Sequence, residues 1–162
     1  MSEIVLEFVP RVSIGPFVFR QGSQDAITAG RKLFGEPTQQ AKDIVRFHDN
    51  AVLFEFDNDA LVFVEVALGA GVDIRLNGTQ LGSLTDTETS TILGTADEDD
   101  NEYPATFSYS NLSMTLWRPV APIDVLASRA DDPTDDPDFW AQELERASRF
   151  RTLAVAVPGY WD

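Results

Sequence analysis

Apolar and polar residues alternate from the start: Ile4, Leu6 and Phe8 interleave with Glu3, Val5 and Glu7, a period of two that predicts a half-buried β-strand ended by Pro10. A second strand is expected from Ser13 to Phe19. The period then changes. Ala26, Ile27, Gly30, Leu33 and Phe34 form a helical stripe, with Ser23 placed to cap its start and Gly35 and Pro37 to stop it. Three β-rich runs come next, Asp43 to Phe47, Val52 to Phe56 and Leu61 to Leu68, and Asp57-Asn58-Asp59 has the composition of a tight hairpin turn.

The same order recurs in reduced form. Val72, Ile74 and Leu76 alternate with Asp73 and Arg75, and Asn77-Gly78 supplies type I′ turn chemistry before Thr79 to Leu81. Thr85 and Glu88 fit a capping box for a short helix through Ile92 and Leu93 to Gly94. Strands Ala105 to Tyr109 and Leu112 to Trp117 are expected to pair around Ser110-Asn111. A third helix follows the insertion at 129–138: Asp136 caps it, Pro137 suits its first turn, and Trp140, Leu144 and Ala147 form its stripe, flanked by Phe139 and Phe150. Thr152 to Val157 closes the pattern as a strand. The prediction is a single α+β domain over 1–162, an antiparallel sheet built from two degenerate strand-helix-hairpin repeats at about 12–68 and 72–118, with an acidic loop, helix and strand at 129–162.

Composition adds a partner class and removes others. The net charge is −15, of which −4 belongs to residues 1–70 and −11 to residues 71–162. A polyanion would be repelled by such a chain, so nucleic acids and anionic membranes are disfavoured and a basic protein is the expected partner. The absence of cysteine excludes a disulfide framework and thiolate metal sites, and it suits a reducing cytoplasm. The N-terminal segment reads as a strand instead of a signal peptide, and no apolar run approaches the ~18 residues of a membrane span, so a soluble, cytoplasmic protein is expected.

Candidate chemistry is sparse. His48, the single histidine, stands in the turn His48-Asp49-Asn50; a hydrolase centred on it would need partners that no G-x-S-x-G elbow supplies. Carboxylate pairs such as Asp57 with Asp59, or Glu143 with Glu145, have the spacing that a turn and a helix surface produce anyway. The acidic runs at 97–102 and 131–138 lack the glycine and distal glutamate of a calcium loop. Neither catalytic, cofactor nor metal residues are therefore assigned, and the protein is expected to be non-enzymatic.

Placement of the negative charge is more informative than its total. Between Asn77 and Trp117 there are seven acids and no lysine or arginine, and the same holds from Ala130 to Glu145. With aromatic neighbours, these stretches have the composition of a charged rim around anchors. The expected partner-binding residues are Asp97, Glu98, Asp99, Asp100 and Glu102 in one region, and Asp131, Asp132, Asp135, Asp136 and Trp140 in the other. A competing reading is a halophilic or housekeeping domain, because only Lys32 and Lys42 are lysines; that adaptation would spread acid evenly, which this chain does not do.

Several segments carry a resemblance. VPRVSIGPFVF with LFGEP, VDIRLNGTQL with LTDTE and ILG, LSMTLWRP, and the closing VAVPGYW resemble a family of uncharacterised bacterial immunity-like proteins met beside toxin genes. The repeat outline is also similar to the tandem units of the beta-lactamase inhibitor protein and a related outer-membrane lipoprotein fold, although cysteines of either kind are missing. The resemblance implies a small non-enzymatic binder and transfers no functional residues; with the charge pattern, the expected role is to neutralise a basic toxin domain such as a nuclease.

Overall fold

The period-two segments assemble into two sheets that share one core. The computed structural model describes residues 3–96, 106–118, 122–131, 136–147 and 149–161. In chain order these hold β1 (Ile4–Val9), β2 (Ser13–Ile14), β3 (Phe17–Val18), α1 (Ser23–Phe34), β4 (Gln39–Gln40), β5 (Ile44–Phe47), β6 (Val52–Asp57) and β7 (Ala60–Ala67). Then come β8 (Val72–Leu76), β9 (Thr79–Gln80), α2 (Asp86–Leu93), β10 (Thr106–Tyr109), β11 (Met114–Trp117), α3 (Pro122–Asp131), α4 (Pro137–Ala147) and β12 (Thr152–Ala156). The small sheet has the order β3-β2-β1-β8-β9 and the large one β10-β11-β12-β7-β6-β5-β4. All pairings are antiparallel except β1 with β8, whose parallel contact is reached only after the chain has passed through the large sheet. The fold is α+β, with its strands divided between two sheets where one was expected. No helix among the described residues is long and apolar enough to cross a membrane.

Alternation decides which face of the large sheet is buried. Val45, Phe54, Val64, Val155, Met114 and Tyr109 form one cross-strand row, and Phe47, Val52, Val66, Leu153, Leu116 and Phe107 form the next. Every member is buried except the half-buried Phe107. Leu6, Phe8, Ile14 and Phe17 from the small sheet and Ala26 and Ile27 from α1 pack into the same cluster. Phe17, Phe34, Phe47 and Phe54 join these elements ring to ring, with centroids 4.6 Å apart for Phe17 and Phe54 and 5.3 Å for Phe47 and Phe54.

Local chemistry explains where elements start and stop. The predicted strand Ser13 to Phe19 is instead a two-by-two hairpin, because Gly15 adopts φ +57° and a Cβ there would sit 2.6 Å from Leu6 Cδ2. The N-cap of α1 is Gly22, not Ser23. The Ser23 hydroxyl donates instead to the Asp59 carboxylate, and its N–H donates to the Asp59 carbonyl at 2.9 Å, fastening the helix to the β6–β7 turn. Asn58 and Asp59 both have positive φ, as a type I′ turn requires. The capping box of α2 forms as the sequence predicts, with Glu88 N–H donating to Thr85 Oγ1 at 3.2 Å and Thr85 N–H to Glu88 Oε1 at 3.1 Å. Leu112, expected in a strand, lies in a 3-10 turn that ends at Ser113 with φ +49°.

A fourth helix, α3, was not expected. It forms a hairpin with α4, where Val125, Trp140 and Ala147 make a separate small cluster. Among the described residues Val125 supplies the α3 side of that cluster, and in the sequence Ile123, Leu126, Ala127 and Ala130 carry the helical spacing of this segment.

Arg118 anchors the second half. Its side chain is 2% exposed, stacks 4.6 Å over Phe150 and 5.5 Å over Phe107, and makes a two-pronged pair with Asp86 in the first turn of α2. Replacing Arg118 with alanine is expected to cost about 3 kcal/mol, from a lost ion pair and an unfilled core volume. Asp86→Asn is expected to cost about as much, because it leaves the Arg118 guanidinium, 2% exposed, without its carboxylate. Urea midpoints compare the two.

Gly30→Ala tests how closely α1 approaches the sheet. Helix propensity would gain about 1 kcal/mol, yet the new Cβ would lie 2.6 Å from Phe47 Cζ, on a ring with no exposure. Overpacking of about 1–3 kcal/mol outweighs the propensity gain, so the urea midpoint should fall with an unchanged slope.

Candidate functional site

Burying one face of the large sheet leaves the other in solvent. Gln39, Arg46, Leu53, Glu65, Ala154, Thr115 and Ser108 form a transverse row that touches every strand. Beside it run Ile44, Glu55, Phe63 and Ala156 on one side and Ala67, Thr152, Trp117 and Thr106 on the other. Most of these side chains are partly exposed, whereas Ala156 is buried. Small residues on β7, β12, β11 and β10 (Ala67, Ala154, Thr152, Thr115, Ser108) make a low floor, which lets another backbone approach closely.

Aromatic groups stand at two ends of that floor. Trp117 on β11 is 45% exposed. Phe63 lies roughly 13 Å along β7 from Ala67, by the ~3.3 Å rise of a strand, and carries a second group: Tyr160 stacks on it at 5.1 Å, and Trp161, 48% exposed, meets both rings edge-on. Pro158 and Gly159 turn the chain back after β12 and bring these two rings over Phe63.

Charge on the face is mainly negative. Glu55 and Glu65 make no ion pair among the described residues, and Arg46 is the face's cation. The Tyr160 hydroxyl donates to Glu55 Oε2 at 3.0 Å. Burial, then the hydrogen bond and charge of Glu55, then the charge of Glu65, push the Tyr160 phenol up to about 12.

Of the residues expected to bind a partner, only Asp131, Asp136 and Trp140 fall among the described residues. Asp97, Glu98, Asp99, Asp100, Glu102, Asp132 and Asp135 lie outside the described residues, and Asp131 is the last residue of α3. Asp136 caps α4, its carboxylate accepting from Asp138 N–H at 3.1 Å and Phe139 N–H at 3.2 Å. Trp140 lies on the buried stripe of α4: it is 6% exposed and packs against Val125 of α3, while its neighbour Phe139 faces solvent. Glu143 pairs with Arg146 on α4, and Glu145 with Arg149 just past its end. Glu55, Glu65, Phe63, Tyr160 and Trp161 on this face are not among the partner-binding residues expected from the sequence. Their signal was the outward phase of β6 and β7, together with two adjacent aromatics after a Pro-Gly turn.

Other candidates are structural in their contacts. His48 hydrogen-bonds through Nε2 to the Ala70 carbonyl at 2.8 Å and leans on Phe34, tying the β5–β6 turn to the glycine loop before β8. His48, Asp49 and Asn50 all have positive φ, and Thr38 Oγ1 donates to Asn50 Oδ1 at 2.6 Å. Among the described residues no three histidine, aspartate or glutamate side chains converge as a metal site would require. A groove of about 400 Å³ beside α1 is lined by Pro16, Asp25, Thr28, Ala29, Lys32 and Leu33, and its single acid and single base form no catalytic set.

Absorbance at 295 nm tests the Glu55–Tyr160 contact. The folded protein should show a tyrosine titrating near 12 that disappears in Tyr160→Phe and moves downward in Glu55→Ala. Because the folded state holds this proton more tightly than the unfolded chain, the contribution to stability is complete below pH ~10 and is lost as pH rises toward ~12. No family model, curated protein or solved structure matches the chain.

Proposed function

We propose that this protein is a non-enzymatic acidic binder of the immunity type, which neutralises a basic toxin domain, such as a nuclease, by covering its working surface. The observation that supports this reading is the open face of the large sheet. It offers a floor of small residues, two glutamates outside any described ion pair and exposed tryptophans, in a chain of net charge −15. Strand pairing across the sheet holds that floor in place before any partner arrives, so little ordering entropy is lost on docking. A field of this sign draws a basic partner in, and such steering raises association rates by about 10- to 1,000-fold.

The acidic stretch from Asp97 to Glu102 extends the attraction in this reading, while the sheet face makes the close contact. A toxin domain whose own site binds phosphates would present the matching positive charge. Intracellular, cytoplasmic action follows from the same reading, since an immunity protein acts where the toxin would.

Co-expression with the basic product of an adjacent toxin-like reading frame should restore growth, and the purified pair should associate with a rate that falls steeply with salt. Glu55→Lys combined with Glu65→Lys is expected to slow association about tenfold or more, and charge reversal of Asp97, Asp99 and Asp100 should slow it further. Unchanged rate and affinity in both variants would remove the proposal.

A further inference from the structure

We infer that the corner formed by Phe63, Tyr160 and Trp161 with Glu55 and Glu65 is a seat for a guanidinium group, taken by an arginine side chain of the basic partner. This deepens the proposed docking face and rests on that reading.

Three observations carry the assignment. The aromatic rings fix one another: Phe63 and Tyr160 stack with 27° between planes, and Trp161 stands at 72° and 80° to them. Backbone contacts hold the corner too, with Tyr160 N–H donating to the Val157 carbonyl at 3.2 Å and Phe63 set in the β7 ladder. A preformed set of ring faces carries partial negative charge that attracts a flat cation.

Two carboxylates stand at the same place. Glu55 is the direct cross-strand neighbour of Phe63, and Glu65 lies two residues further along β7 on the same face. The Tyr160 hydroxyl occupies one oxygen of Glu55, which orients that carboxylate and leaves its other oxygen to accept. Guanidinium combines the two needs, because its plane stacks on rings while its edge donates in a fork to carboxylate.

The protein builds the same arrangement once from its own chain. Arg118 lies over Phe107 and Phe150 and forks onto Asp86. At the Tyr160 corner the rings and carboxylates recur, and among the described residues no arginine or lysine stacks on these three rings. The half-exposed Trp161 leaves the seat reachable from solvent.

The test uses end-blocked triarginine, trilysine and tetramethylammonium chloride as probes, read by the Trp161 indole N–H resonance, which Trp161→Phe assigns. Triarginine should shift this resonance at concentrations at least threefold lower than trilysine, and Glu55→Gln with Glu65→Gln should weaken it at least fivefold. Absence of a Trp161 shift, equal response to trilysine, or tighter response to tetramethylammonium would overturn the assignment. Trp161→Ala and the double glutamine variant are checked by circular dichroism and urea midpoint to show retained folding. If those variants bind the toxin domain as tightly as the unaltered protein, the arginine seat is wrong and the docking face stands. If charge reversal also leaves toxin binding unchanged, the docking face itself is wrong.

Discussion

The cluster of Phe17, Phe34, Phe47 and Phe54 is the contact on which the other parts depend. Its rings come from the small sheet, α1 and two neighbouring strands of the large sheet, so one interlocked group sets how these layers meet. Aromatic residues bury about 150–250 Å² each and prefer tilted or edge-on contacts, which makes such a group both strong and specific in geometry. Once it is fixed, the phase of β5, β6 and β7 is fixed, and their alternate residues must face out. The exposed face is therefore a consequence of core packing: Glu55, Phe63 and Glu65 are turned outward because Phe54, Val64 and Val66 are buried.

Several acids of the second half have structural partners among the described residues. Asp86 holds Arg118, Glu88 completes a capping box, Asp136 caps α4, and Glu143 and Glu145 pair with Arg146 and Arg149. The sequence stretch free of lysine and arginine ends at Trp117, one residue before the arginine that pairs with Asp86. Counting charge along a chain therefore overstates its availability. The fully buried Asp73 side chain, paired with Arg75 at 2.7 Å, makes the same point.

Local elements were legible in the sequence because their signals are local. Turn chemistry at Asn58-Asp59 and Asn77-Gly78, the box at Thr85 and Glu88, and the stripe of α4 all depend on residues within one or two turns. Long-range partners were not legible. Nothing near Ile4 says that β1 will lie parallel to β8, and nothing near Ser23 says that its hydroxyl will reach Asp59. The candidate face was hidden for the same reason, since Phe63, Tyr160 and Glu55 meet across up to 105 positions of sequence. Trp140 looked like an anchor because nothing beside it in the sequence says that it will pack against Val125 of α3.

The position of β12 carries a consequence for biosynthesis. Although it follows every other described strand in the chain, it lies inside the large sheet, between β7 and β11. As the chain leaves the ribosome, the β4–β7 block and the β10–β11 hairpin have no bond to each other, and each presents a bare edge where β12 will insert. Final closure thus requires residues 152–156, and until they pair, the facing edges of β7 and β11 have no strand between them to seal the sheet.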